Sequence, residues 1–241
     1  MYTRPSLEKY LTYTNSEPPR RPPLRAFQEP DLKFAVTISR QSGSGAHVVA
    51  EKLADYLHTH FSGSRDPWLI FDRNLAERVL EDNNLPKYLA KYMPEDQVSA
   101  ITDAIDEMFG LHPPFWTLRQ KTSETILHLA ERGNVILIGR GANVITRKLG
   151  HVFHVRLVGS LEKRVEHIQE IYGIEKRKAT ELIAREDRGR RRYLRKYFGK
   201  EIDDPLLYDL VINTDAIGYE NAARVIGESM LERTTALRLY E

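Results

Sequence analysis

The residues best suited to chemistry lie in the stretch Thr37-Ile38-Ser39-Arg40-Gln41-Ser42-Gly43-Ser44-Gly45-Ala46-His47. Glycines at 43 and 45 let backbone N–H groups approach an anion closely, and a helix opening at their end adds unsatisfied donors and a favourable dipole. The chemistry on offer is phosphate binding by the amides of Gly43, Ser44, Gly45, Ala46, His47 and Val48. Against the pattern G-x-x-x-x-G-K-[ST], with Gly45 as the second glycine, Arg40 replaces the first glycine, Ala46 the lysine and His47 the hydroxyl residue. The usual β/γ-phosphate lysine and Mg²⁺-ligand hydroxyl are therefore missing. Two readings stay open for these residues alone: a phosphate cradle, or an ordinary strand-to-helix turn.

Three further groups carry charge where it can act. Asp72-Arg73 follows the apolar run Trp68–Phe71, and Arg140 sits between Gly139 and Gly141 after the run Val135–Ile138. Charged residues just past the C-terminal end of a buried strand stand where open α/β sheets bind ligands, although a helix cap or a surface turn would use the same types. From 185 to 200 there are eight Arg or Lys against two acids. Such a run is a solvated face, a nucleic-acid patch, or an arginine lid over transferring phosphates.

Hydrophobic patterning supplies the elements that must hold these groups. Apolar runs at 34–38, 68–71, 134–138, 152–158 and 208–212 predict five buried strands. Helical spacing separates them: about 44–60 with Val48, Val49, Leu53, Tyr56 and Leu57 on one face, 115–132, then a helix from Leu161 with Leu161, Val165, Ile168 and Ile171 inward. Helix continues over 174–184, and Tyr219–Leu239 closes the chain. Strands alternating with helices predict an α/β fold with a five-stranded parallel sheet. Residues 84–132 exceed one crossover helix, so part of the block reads as a small helical subdomain, one that in a phosphotransferase would cover the acceptor and otherwise is a packed insertion.

Size and composition set the outer limits. The 241 residues suffice for one full core, here assigned to 33–241. Residues 1–32 hold six of the twelve prolines and read as an extended arm or a tail. A formal charge of +2 gives no global polyanion signal, and the absence of cysteine excludes disulfides and thiol chemistry. No apolar run approaches the roughly 20 residues that span a bilayer, so a cytoplasmic location is expected. Oligomeric state is left open.

Taken in order, Thr37–Gly45, Phe71-Asp72-Arg73, Val135–Arg140, Leu161–Arg164, Asp187 with Arg191 and Tyr193, and Tyr208–Thr214 resemble the cytidylate kinase-like family over roughly 34–230. That resemblance implies a P-loop NTPase fold of the nucleoside monophosphate kinase type, with a helical insertion and a lid at 185–200. It implies ATP with Mg²⁺ as donor and a small acceptor, a nucleoside monophosphate such as CMP. Asp72 and Arg78 keep the family's spacing for the acceptor phosphate, while the family's G-R-D turn is Gly139-Arg140-Gly141 here and lacks its acid. The lid pattern R-D-x-x-D-x-x-R is Arg185-Glu186-Asp187-Arg188-Gly189-Arg190-Arg191, without the second aspartate. On this basis Gly43–Val48 hold donor phosphates, and Asp72, Arg73, Arg78, Gly139 and Arg140 hold the acceptor. Arg185, Arg188 and Arg191 close over the transferred group, and the charge of the absent lysine is assigned to Arg40 or to one of these lid arginines. Metal ligands are not assigned. The alternatives are a nucleotide-binding protein that no longer turns over, or a nucleic-acid-binding module built on 185–200.

Overall fold

The computed structural model describes residues 34–60, 67–72 and 114–239. Five strands form one sheet: β1 (Ala35–Arg40), β2 (Leu69–Phe71), β3 (Val135–Ile138), β4 (Val152–Val158) and β5 (Leu210–Asn213). Their order is β2-β3-β1-β4-β5 and every pairing is parallel, as the alternating pattern predicts. The central strands β1, β3 and β4 are buried along nearly their whole length, and all four residues of β3 are both apolar and buried. At the edge, β5 keeps only Ile212 buried.

Register places the site. Ile38 lies opposite Ile138 and Arg40 opposite Leu157, so β1, β3 and β4 end side by side. Gln41 N donates to Leu157 O at 2.9 Å and Gly139 N to Ile38 O at 3.0 Å, continuing the ladders into both loops. The glycine loop, the 139–141 turn and the 159–160 turn thus share one sheet edge.

The helices are α1 (Ala46–His60), α2 (Pro114–Arg132), the short α3 (Ala142–Ile145), α4 (Leu161–Tyr172), α5 (Lys176–Phe198) and α6 (Thr214–Leu239). On α1 the predicted face holds: Val49, Leu53 and Leu57 are buried. It packs on α6, where a Cβ at Gly227 would overlap the Tyr56 ring. Gly218 breaks α6 at φ 74°, ψ 164°, so the closing helix runs from Tyr219 as predicted, with one preceding turn after β5.

Two helices depart from the sequence reading. On α4 the inward residues are Arg164, Val165 and Ile168, while Leu161 and Ile171 are about half exposed (50% and 56%). The stripe is rotated because Arg164 turns in to bond the glycine loop. Residues 185–198 form no separate segment; they continue α5 as one 23-residue helix that ends at Gly199 in the left-handed conformation. The arm at 1–32 and the insertion up to residue 113 lie outside the described residues.

Inside the sheet, β4 carries polar groups that its apolar pattern hides. His154 Nδ1 lies 2.8 Å from Thr37 Oγ1, and Arg156 donates to Ser39 Oγ at 3.0 Å and to Asp203 at 2.6 Å. Tyr208 donates to Ile202 O at 2.8 Å and lies 3.2 Å from Ser39 Oγ. Burial pushes the Asp203 carboxyl up, but its bonds and charge contacts with Arg191 and Arg156 leave it below its ordinary value. Burial pushes His154 down from 6.5 to about 4, against the pull of Asp209 and with help from Arg233 and Arg147. Between those values the unfolded chain binds the extra proton. His154 therefore contributes fully above pH 6.5 and loses about 3 kcal/mol as pH falls toward 4. Thermal unfolding of wild type and His154→Gln across pH 4–7 checks this. The variant should show a shallower decline at the acid end, and an identical decline would refute the assignment.

Candidate active site

The glycine loop begins where β1 ends. Ser44 closes a turn on Gln41, its N–H and hydroxyl donating to Gln41 O at 3.2 and 2.8 Å. Gln41 in turn accepts Gly159 N at 3.0 Å, tying the loop to the end of β4. Gly43 (φ 82°) and Gly45 (φ 77°) then turn the chain into α1, whose first N–H groups have no partner within the helix. Both glycines are also required by close packing. A Cβ at Gly43 would lie 2.5 Å from Arg164 O, and one at Gly45 would lie 2.3 Å from the Tyr219 ring.

Helices α4 and α5 lock onto this loop through a knot of charges. Arg164 donates to Ser42 O (3.1 Å), Gly159 O (3.1 Å) and Asp187 Oδ2 (2.8 Å). Asp187 Oδ1 accepts Ser42 N at 2.8 Å and Arg190 at 2.5 Å. The Ser42 hydroxyl donates to Glu186, which also lies 3.6 Å from Arg190. Two arginines and two carboxylates thus balance beside the loop, with one backbone N–H of the loop already bound to a carboxylate.

Across β1 lies the second loop. Gly139, Arg140 and Gly141 all have positive φ (80°, 61° and 68°), a strained state for Arg140 of the kind concentrated at functional sites. Ala142 N and Val144 N bond back to Gly139 O and Gly141 O, starting α3. Phe198 packs where a Cβ on Gly141 would sit, at 2.7 Å. Arg40 and Asp72 meet at 3.8 Å, bringing the ends of β1 and β2 together across the end of β3.

The sequence-assigned residues fall into three groups. Gly43–Val48, Arg40, Asp72, Gly139 and Arg140 share the C-terminal sheet edge, although the His47 side chain is exposed and lies 3.4 Å from Glu51. Arg185, Arg188 and Arg191 are exposed on α5, with Arg191 bonded to Asp203 at 2.9 Å. Arg73 and Arg78 lie outside the described residues. The arginine that α5 turns inward is Arg190, which received no role from the sequence. Its signal was present: the buried stripe Ala179, Ile183 extends at helical spacing to 186–187, 190 and 193–194, with 185, 188 and 192 on the other side. Arg164 and Asn143 were likewise unassigned.

A donor nucleotide's phosphates fit this chemistry: helix-start amides, a tight glycine turn and arginines within reach. A protein-held Mg²⁺ fits less well. His47 stands at the hydroxyl position, and among the described residues no three His, Cys, Asp or Glu side chains cluster to hold a metal. No described helix is long and apolar enough to cross a membrane.

Comparison with known proteins adds three findings. The model of the cytidylate kinase-like family matches residues 35–216. Cytidylate kinase of Pyrococcus horikoshii is 26% identical over 200 residues, covering 82% of this chain and 88% of that protein; the one from Ignicoccus hospitalis is 27% identical over 196 residues, covering 81% and 98%. A solved structure of an uncharacterized protein from Eubacterium ventriosum shares the fold with TM-score 0.62 at 18% identity, covering 83% of this chain and 99% of that one.

Proposed function

The chain belongs to the cytidylate kinase-like family, and from that premise we propose that it transfers the terminal phosphoryl group of ATP to a small acceptor, a nucleoside monophosphate such as CMP. The observation that carries the proposal is the meeting of two glycine-bearing loops, Gln41–Gly45 and Gly139–Gly141, on either side of one strand end, with arginines entering from β1, α4 and α5.

In this reading the amides of Gly43–Val48 hold the donor phosphates. Arg40, at the end of β1, supplies charge in place of the lysine. Arg140 receives the anionic end of the acceptor, Asp72 orients it, and Arg73 and Arg78 complete that side. Arg164 and Arg190 flank the transferred group, and Arg185, Arg188 and Arg191 join it on rearrangement of α5. Mg²⁺ would arrive with ATP and would supply charge neutralisation for the transferring phosphates, with no side chain of this chain assigned to hold it. The protein's own contribution is positioning and charge neutralisation.

The runner-up, a nucleotide-binding protein without turnover, is favoured by one observation, the carboxylates of Glu186 and Asp187 bound at Ser42. The nucleic-acid reading draws less support, since Arg190, Arg191 and Arg195 are each paired with acids. The discriminating experiment is transfer from labelled ATP into a panel of CMP, dCMP, UMP, AMP and GMP, with Arg140→Ala alongside. One preferred acceptor is expected, with its transfer lost in Arg140→Ala while ATP affinity stays. ATP binding without transfer to any acceptor would select the runner-up, and neither binding nor transfer would refute both.

A further inference from the structure

Between the ends of β1 and β3 and the inner face of α5 lies a cavity of about 20 Å³. It is bounded by Ser39, Arg40, Gly139, Gly141, Asn143 and Arg190, with apolar walls from α5. Two of these side chains are more than nine-tenths buried and leave a polar atom without a hydrogen-bond partner among the described residues: Asn143 through Nδ2 and Arg190 through Nε. A buried donor left without a partner is unfavourable, so two on the walls of one cavity point to an occupant.

Chemistry narrows what that occupant is. An amide NH₂ and a guanidinium Nε–H donate and do not accept, so the partner must present lone pairs. The volume has room for an oxygen atom beside these two donors. Arg40, which lies 3.8 Å from Asp72, brings a second guanidinium to the lining, and its donors also call for an oxygen. Position adds to this. Gly139 and Gly141 line the cavity, and they flank Arg140, the proposed clamp for the acceptor's anionic end.

We infer that Asn143 and Arg190 form a subsite for one phosphate oxygen of the acceptor, the Asn143 amide and the Arg190 Nε–H both donating to it. The inference rests on the phosphotransferase reading for the identity of the ligand, but the site itself is testable without turnover. It makes Asn143 a binding residue that selects phosphorylated over unphosphorylated acceptors.

The test uses the full chain labelled with ¹⁵N, following the Asn143 side-chain amide and Arg190 Nε–H resonances by NMR during titration with inorganic phosphate, CMP and cytidine. Phosphate and CMP should move both resonances and cytidine neither. Asn143→Asp, nearly isosteric, places a carboxylate where the amide donates. It should fold at least as well as wild type and weaken CMP binding at least tenfold, with ATP affinity unchanged. Asn143→Ser provides a second variant that leaves the charge unaltered and should weaken CMP less. Resonances that move equally with cytidine would overturn the anionic assignment. Resonances that move with no titrant would overturn the subsite altogether, leaving a cavity that holds water or an Asn143 turned to satisfy Arg190 through its own oxygen. Binding without transfer would retain the subsite and refute the kinase reading, while transfer with unmoved resonances would do the reverse.

Discussion

Asp187→Ala is expected to lower folding stability by about 3 kcal/mol, the lower end for breaking a buried ion pair from one side. Asp187 is the common acceptor for Arg164, Arg190 and Ser42 N. Both arginine side chains are about nine-tenths buried, at 10% and 8% exposure, so removing their shared carboxylate leaves two cations undersatisfied. The carboxylate itself is 22% exposed, and water can enter the vacated position, which sets the cost below the deepest cases. For a domain of this size the loss corresponds to roughly 6–12 °C in Tm. Urea denaturation of wild type, Asp187→Ala and Asp187→Asn provides the measurement. Asparagine keeps one acceptor and should fall between the other two. A loss below about 1 kcal/mol would place the knot among ordinary surface pairs.

Gly43→Ala is expected to reduce ATP affinity at least about 100-fold, the scale of losing a preorganised electrostatic contact. Two costs coincide at this position. The backbone holds φ 82°, and the new Cβ would lie 2.5 Å from the carbonyl oxygen of Arg164, with backbone atoms on the far side that have nowhere to retreat. The loop must therefore shift off α4 and take its amides with it. Gly173→Ala is the matched control. It has φ 63° and open space around it, so it isolates the conformational cost, about 1 kcal/mol in stability, and should leave ATP affinity alone. Calorimetric titration with ATP decides the point. Equal affinity in wild type and Gly43→Ala would show that the loop is not the donor site.

How much of this was legible in the sequence follows from which forces act locally. Strands β1 to β5 were readable because a parallel sheet covered on both faces needs continuous apolar runs, and Val135–Ile138 has no other use. The two glycine loops were readable because each follows such a run directly. Arg190 was obscured by composition: among six arginines between 185 and 195, only helical phase separates the inward one from its neighbours. Arg164 was hidden for the opposite reason. Leu161 and Ile171 supply a plausible apolar stripe, and the helix rotates away from it to satisfy contacts 122 residues away in sequence, at Ser42. The buried polar pairs Thr37–His154 and Ser39–Arg156 depend on strand register between β1 and β4, which no local pattern encodes. Asn143 follows a glycine turn like many surface residues, and its burial is set by α5 packing from a distant part of the chain.

Phosphoryl transfer to a nucleoside monophosphate is tested most directly by ³¹P NMR of the full chain with ATP, Mg²⁺ and CMP in one tube. The expected result is loss of the ATP γ resonance matched one for one by the appearance of CDP, with ADP formed in equal amount and no free phosphate. ATP that persists unchanged beside CMP and the other nucleoside monophosphates, or that yields only ADP and inorganic phosphate, would contradict it.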